Sequence, residues 1–232
     1  MIYIFDVDGT LTPPSKPMEK DFQNFFIEWA GYNNFVVVSG SHYKTIERQL
    51  GKTIISLAQS TFPCSGLVQY QGFRPVWEYE HTFSKDLYNS LDKYLKQSNY
   101  SNKTGLHIDD RGSLINFSIV GRGDNKYREH YNEWDMVHRE REEIVRDIER
   151  NFDVSVTIGG QISVDITPKN WGKHKILDHL TYDDEFTFFG DKTNVGGNDY
   201  SIFQELKNSR HIVHTVKDYK NTEKLLRGNH SR

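Results

Sequence analysis

Short apolar runs that end abruptly in polar residues recur along the chain. The runs, each with the polar residues that follow it, are Ile2–Phe5 before Asp6 and Asp8, Phe35–Val38 before Ser39-Gly40-Ser41, and Phe186–Phe189 before Gly190-Asp191. Runs of this kind are typical of strands buried on both faces of a sheet. Residues 42–50 and the segment that starts at 172–177 indicate helices between the strands. Strands that alternate with helices predict an α/β fold built on a Rossmann-like parallel sheet.

The middle of the chain departs from this rhythm. Segments 105–120 and 153–167 are predicted to be strands that pair with close neighbours, and the charged segment 132–151 is predicted to be one helix. Val137, Ile144 and Ile148 recur there at helical spacing, and Glu142 and Arg146 are placed for an i, i+4 ion pair. The pattern predicts a mixed α/β cap, residues 76–170, inserted into a core formed by residues 1–75 and 171–232.

Composition and charge narrow the class of protein. The 232 residues include 29 basic and 32 acidic side chains, a net charge of −3. This balance argues against a dedicated nucleic-acid binder, and no apolar run approaches the length of a membrane span. Cys64 is the single cysteine, so no intramolecular disulfide can form, which is compatible with a reducing compartment. We therefore expect a cytoplasmic protein with no nucleic-acid or membrane partner.

Asp6 and Asp8 are the first candidates for chemistry. Two carboxylates one residue apart at the mouth of a buried strand repel each other, and a divalent cation such as Mg²⁺ is the simplest way to offset that repulsion. A calcium-binding EF-hand loop is excluded because its fifth and twelfth positions, counted from Asp6, hold Thr10 and Pro17. Gly9 permits a tight turn whose N–H groups can face an oxyanion. The arrangement predicts a metal-dependent phosphoryl site.

Further polar residues follow the other predicted strands. Sites in parallel sheets lie beyond the carboxyl ends of the strands, where Asp6, Asp8, Ser39 and Asp191 are predicted to meet. Ser39 can donate to a phosphoryl oxygen, Lys173 can neutralise developing charge, and Asp191 can complete the metal site. Taken singly, Ser39 reads equally as a helix N-cap, Lys173 as a solvated lysine and Asp191 as a turn residue. Their joint occurrence in this order favours phosphoryl transfer.

The segment DVDGT, residues 6–10, resembles the first motif of the haloacid dehalogenase superfamily, phosphotransferases built on a Rossmann-like sheet. The resemblance implies that Asp6 attacks phosphorus and that Asp8 is the general acid/base, roles that suit two carboxyl groups. Longer segments are similar to the eukaryotic-type phosphomannomutases in collinear order: DVDGTLTP at 6–13, the pattern from Arg111 to Arg122, GGQISVDITPKNWGK at 159–173 and FFGDKTNVGGND at 188–199. This likeness implies a Mg²⁺-dependent enzyme that interconverts hexose 6-phosphates and hexose 1-phosphates through an aspartyl phosphate.

The same likeness implies substrate contacts in the cap. Carried over by position, the family's contacts to the substrate phosphate fall on Arg111 and Arg122, and a third arginine matches Arg128 when one residue is deleted. The family's sugar-contacting serine and aspartate fall on Ser163 and Asp165. Strict alternation supports this last pair, because the residues at 162, 164 and 166 are apolar and share the other face of the predicted strand.

Three functions follow from these patterns. A mutase stimulated by a hexose 1,6-bisphosphate is the first expectation, and a sugar-phosphate phosphatase on the same scaffold is the alternative. A non-catalytic sugar-phosphate sensor is disfavoured by the intact set of acids and lysine. The resemblance also implies a homodimer formed through the cap. Ser15, where the family has an arginine, and Cys64-Ser65, where it has Glu-Asn, are departures that bear on the choice between mutase and phosphatase.

Overall fold

The computed structural model describes residues 1–123, 126–181 and 184–230. The strands are β1 (Ile2–Phe5), β2 (Phe35–Val38), β3 (Ser60–Phe62), β4 (Val68–Gln71), β5 (Arg74–Glu78), β6 (Leu106–Asp110), β7 (Ile115–Arg122), β8 (Val154–Gly159), β9 (Ser163–Pro168), β10 (Phe186–Gly190) and β11 (Ile212–Thr215). The helices are α1 (Lys20–Ala30), α2 (Tyr43–Leu50), α3 (Lys52–Leu57), α4 (Lys85–Gln97), α5 (Arg128–His138), α6 (Glu140–Asn151), α7 (Tyr200–Leu206) and α8 (Tyr219–His230). Short 3-10 helices lie at Cys64–Gly66 and Lys173–His179.

The chain divides into two compact units. One comprises residues 1–79 with the chain from 172 onward, and the other is Glu80–Trp171. Strand β5 ends at Glu78 and belongs to the first unit, so residues 76–79 lie outside the second unit although the sequence assigned them to the insert.

The first unit is built on a sheet with the strand order β11-β10-β1-β2-β3-β4-β5. Neighbours from β11 to β3 are parallel, as the alternation of strands and helices predicts. The hairpin β4–β5 extends one edge in the antiparallel sense, which the sequence pattern did not indicate. The expected α/β class with a Rossmann-like core is confirmed.

Alternate residues of β1 pack on opposite faces of this sheet. Phe5 lies in one apolar cluster, where its ring centroid is 5.4 Å from that of Phe26 and 5.7 Å from that of Trp29. Ile4 lies in another cluster with Ile176 of the second 3-10 helix. Because both faces are covered, the strand stays apolar until its last residue, and its polar residues begin where the sheet ends.

The second unit contains an antiparallel sheet with the order β6-β7-β9-β8. Helices α4 and α6 pack apolar residues against one face, among them Leu87, Leu91, Ile144 and Ile148. The inner residues of β9 on that face are Val164 and Ile166, as the alternation predicts. The polar residues between them therefore lie on the opposite face.

The single helix predicted over 132–151 is wrong, because two helices meet at Arg139. Arg139 adopts a left-handed conformation with φ of 55°, and the carboxylate of Asp135 accepts hydrogen bonds from the backbone N (2.9 Å) and Nε (2.7 Å) of Arg141. This buried pair needs a turn, which a continuous helix cannot provide. Val137 is consequently 78 % exposed and shares no buried face with Ile144. The Glu142 carboxylate pairs with Arg139, and the expected Glu142–Arg146 ion pair is replaced by a bond from Arg146 Nε to the Glu142 carbonyl.

Across the described residues, no helix combines the length and the apolar character needed to cross a membrane.

Candidate active site

The polar residues that follow three parallel strands lie at one edge of the first unit's sheet. Strand β1 pairs in parallel with β2 on one side and with β10 on the other. Asp6 follows β1, Ser39 follows β2 and Asp191 follows β10, so the carboxyl ends of neighbouring strands present these side chains together.

Lys173 is buried at the centre of this edge. Its Nζ is 2.6 Å from Oδ1 of Asp6 and 2.7 Å from Oδ1 of Asp199, and its side chain is 0 % exposed. Burial alone would lower the pKa of Lys173, but the carboxylates of Asp199 and Asp6 outweigh burial and raise it above its usual value. The lysine therefore carries a positive charge between two carboxylates, and its interpretation as a solvated helix lysine is wrong.

Three carboxylates meet around this lysine. Within the part of the chain that the structure describes, Asp6, Asp191 and Asp199 offer oxygen atoms that all lie within 4.8 Å of one another. Burial, together with the charges of Asp199 and Asp191, holds the pKa of Asp6 well above its usual value against the opposing effect of Lys173. Burial and the charge of Asp199 likewise raise the pKa of Asp191 to about 6. Carboxylates this crowded fit a divalent cation, which binds oxygen ligands and favours their ionised form.

Gly9 gives Asp191 its place in the group. The glycine has φ of 86°, and a Cβ built on it would lie 2.6 Å from Oδ2 of Asp191. A side chain at this position would be strained in the backbone and would also collide with the carboxylate. The predicted tight turn at Gly9 thus also makes room for a candidate metal ligand.

Asp8 is held apart from the three clustered carboxylates. Its Oδ1 accepts hydrogen bonds from the backbone N of Ser15 (2.6 Å) and from Nε2 of Gln49 (2.9 Å), and Ser41 Oγ lies 3.5 Å from its Oδ2. The structure therefore groups Asp199, rather than the Asp8 carboxylate, with Asp6 and Asp191. An acid that is oriented by fixed donors is suited to proton transfer, the other role expected of Asp8.

Ser39 is buried in a loop that is tied to a strained turn. Its Oγ accepts a hydrogen bond from the backbone N of Ser41 (3.1 Å), which leaves the hydroxyl proton to be donated. Its carbonyl accepts from the backbone N of Ser65 (2.8 Å), within a turn where Cys64, Ser65 and Gly66 all have positive φ. The N-cap of α2 is His42, so Ser39 is not the cap of that helix.

The second unit gathers the other predicted site residues on the polar face of its sheet. Arg111 is 2 % exposed at its side chain and donates from Nε (3.0 Å) and Nη2 (2.7 Å) to Oδ2 of Asp109. Arg122 is 31 % exposed and donates from Nη1 to Oδ1 of Asn116 at 2.7 Å. Burial lowers the pKa of Arg122, and Arg111 and Arg128 lower it further while Asp109 and Asp165 oppose them.

Ser163 and Asp165 join the same group through Asn116. The amide Nδ2 of Asn116 is 2.9 Å from Ser163 Oγ and 2.6 Å from Asp165 Oδ1. The structure thus brings Arg111, Arg122, Ser163 and Asp165 into one network. Arg128, the first residue of α5, reaches that network through its charge.

Sequence reasoning missed Asp199, Gln49 and Asn116. Asp199 is the last residue of the quoted stretch FFGDKTNVGGND, where an acid after two glycines reads as a turn residue. Gln49 and Asn116 are single buried amides within a helix and a strand, and no spacing in one sequence distinguishes them from ordinary polar residues.

The chain has the fold of the haloacid dehalogenase phosphotransferases. A haloacid dehalogenase subclass IIB sugar phosphatase aligns with a TM-score of 0.60 at 13 % identity over 99 % of this chain and 98 % of its own. The C-terminal domain of C. albicans trehalose-6-phosphate phosphatase aligns with a TM-score of 0.60 at 15 % identity over 94 % of this chain and 80 % of its own. At these identities the likeness concerns the fold alone.

Sequence comparison is more specific. Residues 22–229 match the family described as eukaryotic phosphomannomutase. A phosphomannomutase of Drosophila melanogaster is 34 % identical over 97 % of this chain and 94 % of its own length, and one of Spinacia oleracea is 35 % identical over 94 % and 92 %. The chain belongs to the eukaryotic phosphomannomutase family. The expectation of a phosphotransferase-type isomerase is confirmed.

Proposed function

We propose that this protein is a Mg²⁺-dependent phosphomannomutase that interconverts a hexose 6-phosphate and a hexose 1-phosphate through a phosphoryl group carried on Asp6. The observation that supports it most is the buried Lys173, bonded to Asp6 at 2.6 Å in a chain of this family. Apolar residues of similar volume would stabilise the folded chain as well as a buried charge pair at a sheet edge does. The value of the pair lies in orienting a nucleophile.

Each core residue has a role in this chemistry. Lys173 contacts Oδ1 of Asp6, and we assign Oδ2 to attack phosphorus. Ser39 donates its hydroxyl proton to a phosphoryl oxygen. Asp8, held by Ser15 and Gln49, gives a proton to the leaving sugar oxygen and takes one back when the phosphoryl group returns to the sugar.

The carboxylates of Asp6 and Asp191 are the proposed metal ligands. Asp199 accepts hydrogen bonds from Lys173 and from the backbone N of Lys192 (3.0 Å), so we assign it to holding Lys173 beside Asp6. Mg²⁺ bound there would neutralise charge on the transferring phosphoryl group. The Asp8 carboxylate stays a predicted ligand, but its hydrogen bonds favour the acid/base role.

In the second unit we assign substrate binding to Arg111, Arg122, Arg128, Ser163 and Asp165. Arginines grip a phosphate through charge-assisted, often bidentate, hydrogen bonds. A serine and an aspartate on one strand face present oxygen atoms at the spacing of sugar hydroxyls. These residues would hold the hexose phosphate, and the unit that carries them would act as the specificity cap.

The partners and location follow as further parts of the proposal. A hexose 1,6-bisphosphate would act as activator by phosphorylating Asp6, and two chains would associate through the cap. The single cysteine, Cys64, is compatible with the cytoplasmic location that we propose, and a net charge of −3 argues against nucleic-acid partners.

The deciding experiment follows mannose 1-phosphate with and without mannose 1,6-bisphosphate. We expect mannose 6-phosphate to form, faster with the bisphosphate, and to be lost in Asp6→Asn protein, whose amide cannot carry the phosphoryl group. Inorganic phosphate that appears at the full rate of substrate loss, with no isomerised product at any bisphosphate level, would identify a phosphatase. Ser15, in place of the family's arginine, makes some hydrolysis alongside isomerisation an expected result.

A further inference from the structure

Asn116 stands at the junction of the two groups of cap residues to which substrate binding is assigned. On one side it meets Arg122, and on the other it meets Ser163 and Asp165. Asn116 is 3 % exposed, and both its amide nitrogen and its amide oxygen are engaged by these residues. The position calls for a role that acts through its neighbours.

The chemistry of the neighbours determines the orientation of the amide. A guanidinium group only donates hydrogen bonds, so the atom 2.7 Å from Arg122 Nη1 must be the acceptor, Oδ1. An ionised carboxylate only accepts, so the atom 2.6 Å from Asp165 Oδ1 must be the donor, Nδ2. The amide offers both a donor and an acceptor at this reach. Aspartate could not donate, lysine could not accept, and leucine could do neither.

The amide also separates two opposite charges. Without it, the guanidinium of Arg122 and the carboxylate of Asp165 would attract each other directly. A closed ion pair between them would occupy the groups that the proposed function needs for the phosphate and the sugar. Asn116 gives the guanidinium of Arg122 and the carboxylate of Asp165 one neutral hydrogen-bond partner each, and it keeps the two groups apart.

Asp165 is constrained from a second side as well. A Cβ built on Gly159 would lie 2.6 Å from Oδ2 of Asp165, so this carboxylate fits only against a glycine. The Gly159 carbonyl accepts the hydroxyl of Ser163 at 3.1 Å. Asn116 and Gly159 thus confine Asp165 and Ser163 to one arrangement on β9.

We infer that Asn116 is a positioning residue that sets the geometry of both the phosphate-binding Arg122 and the sugar-binding pair Ser163 and Asp165. The inference rests on the proposed function, because it concerns how that substrate site is organised. It predicts a loss of affinity for sugar phosphates without damage to chemistry on a substrate that lacks a sugar.

The test uses Asn116→Asp, which keeps the shape of the side chain, turns its donor into an acceptor and adds a charge beside Asp165. We expect kcat/KM for mannose 1-phosphate to fall about 10- to 100-fold, mainly through KM, because a charge-assisted hydrogen bond is replaced by repulsion. Turnover of p-nitrophenyl phosphate should stay within about twofold. Equal losses on the two substrates would overturn the inference, since they indicate general damage.

Ser118→Ala is the matched control. Ser118 lies on the same strand and is as buried, but its hydroxyl bonds only backbone atoms, the carbonyl of Ile162 and the N–H of Gly121, and none of the network's side chains. We expect it to change neither substrate's kinetics by more than about threefold. If Ser118→Ala lost as much kcat/KM for mannose 1-phosphate as Asn116→Asp, the cause would be general disturbance of the strand, and the inference would be overturned.

A double-variant comparison separates positioning from an independent contribution. If Asn116 acts through Arg122, then Asn116→Ala added to Arg122→Ala should cost less than the product of the two single losses. Losses that multiply would contradict the inference.

A binding measurement distinguishes its failure from failure of the proposed function. In the Asp6→Asn background, calorimetry with mannose 6-phosphate needs no turnover. An affinity at least tenfold weaker with Asn116→Asp supports the inference even if the wild-type protein proves to be a phosphatase. An unchanged affinity overturns it whatever the reaction is.

Discussion

Replacing Lys173 by methionine removes the positive charge between Asp6 and Asp199 while it keeps most of the side-chain volume. Its Nζ is 2.6 and 2.7 Å from the two carboxylates, and the ammonium group has no contact with solvent. Removing one partner of such a buried pair typically destabilises a protein by about 3–5 kcal/mol, because the opposite charge is left uncompensated. At about 2–4 °C per kcal/mol for a chain of this size, the melting temperature in chelator should fall by on the order of 10 °C.

The control is Lys175→Met, two residues along the same 3-10 helix. Lys175 pairs with Asp178 at 3.6 Å, and both side chains are well exposed, so its loss should cost less than about 1 kcal/mol. The assay is thermal unfolding of the three proteins in chelator at one pH. Adding Asp199→Asn to Lys173→Met should restore part of the loss, since one carboxylate charge is removed. A melting temperature for Lys173→Met within 2 °C of the control would refute the reasoning, because the buried pair would then carry little energy.

Three further outcomes are expected. Arg111→Ala or Arg122→Ala removes a charge-assisted contact of about 1.5–3 kcal/mol, so kcat/KM for hexose phosphates should fall roughly 10- to 150-fold. Turnover of p-nitrophenyl phosphate should be little affected. Equal losses on the two substrates would contradict the substrate-binding role of these arginines. Because the pKa of Asp191 is raised to about 6, its contribution to stability in chelator is lost as pH rises from about 4 through 6. Mg²⁺ should therefore raise the melting temperature more at pH 7.5 than at pH 5, and Asp191→Asn should reduce that difference; an unchanged difference would contradict the assignment. Gly9→Ala and Gly72→Ala both place a side chain at positive φ, but only the first side chain collides with a carboxylate. Gly9→Ala alone should therefore weaken Mg²⁺ affinity at least tenfold in a calorimetric titration. Equal effects of the two substitutions would contradict the role given to Gly9.

The sequence predicts those parts of the molecule that follow from periodicity. The apolar runs of β1, β2 and β10 place Asp6, Ser39 and Asp191 at one sheet edge because parallel neighbours end together. The alternation in β9 likewise places Ser163 and Asp165 on one face.

The rest depends on single contacts between distant residues. Asp199 joins the cluster because a glycine-rich loop returns it to Lys173, and a local pattern does not encode that return. The break at Arg139 follows from the buried bond between Asp135 and Arg141, which overrides good helical periodicity. The spacing of apolar residues shows which face of a helix or strand is buried, whereas these contacts depend on which distant residue lies against that face.

The pairing of Asp6 with Lys173 across 167 positions of sequence has a consequence for synthesis on the ribosome. Strand β1 is made well before its neighbour β10, which follows only after the whole of residues 80–171. At about 5–20 residues per second, β1 waits on the order of 10–40 s with one apolar edge unpaired. During that interval the second unit, a continuous stretch of chain with its own apolar cluster, is already complete. Substitutions that weaken β1 or β2 should therefore reduce the yield of newly made protein more than they reduce the stability of protein already folded.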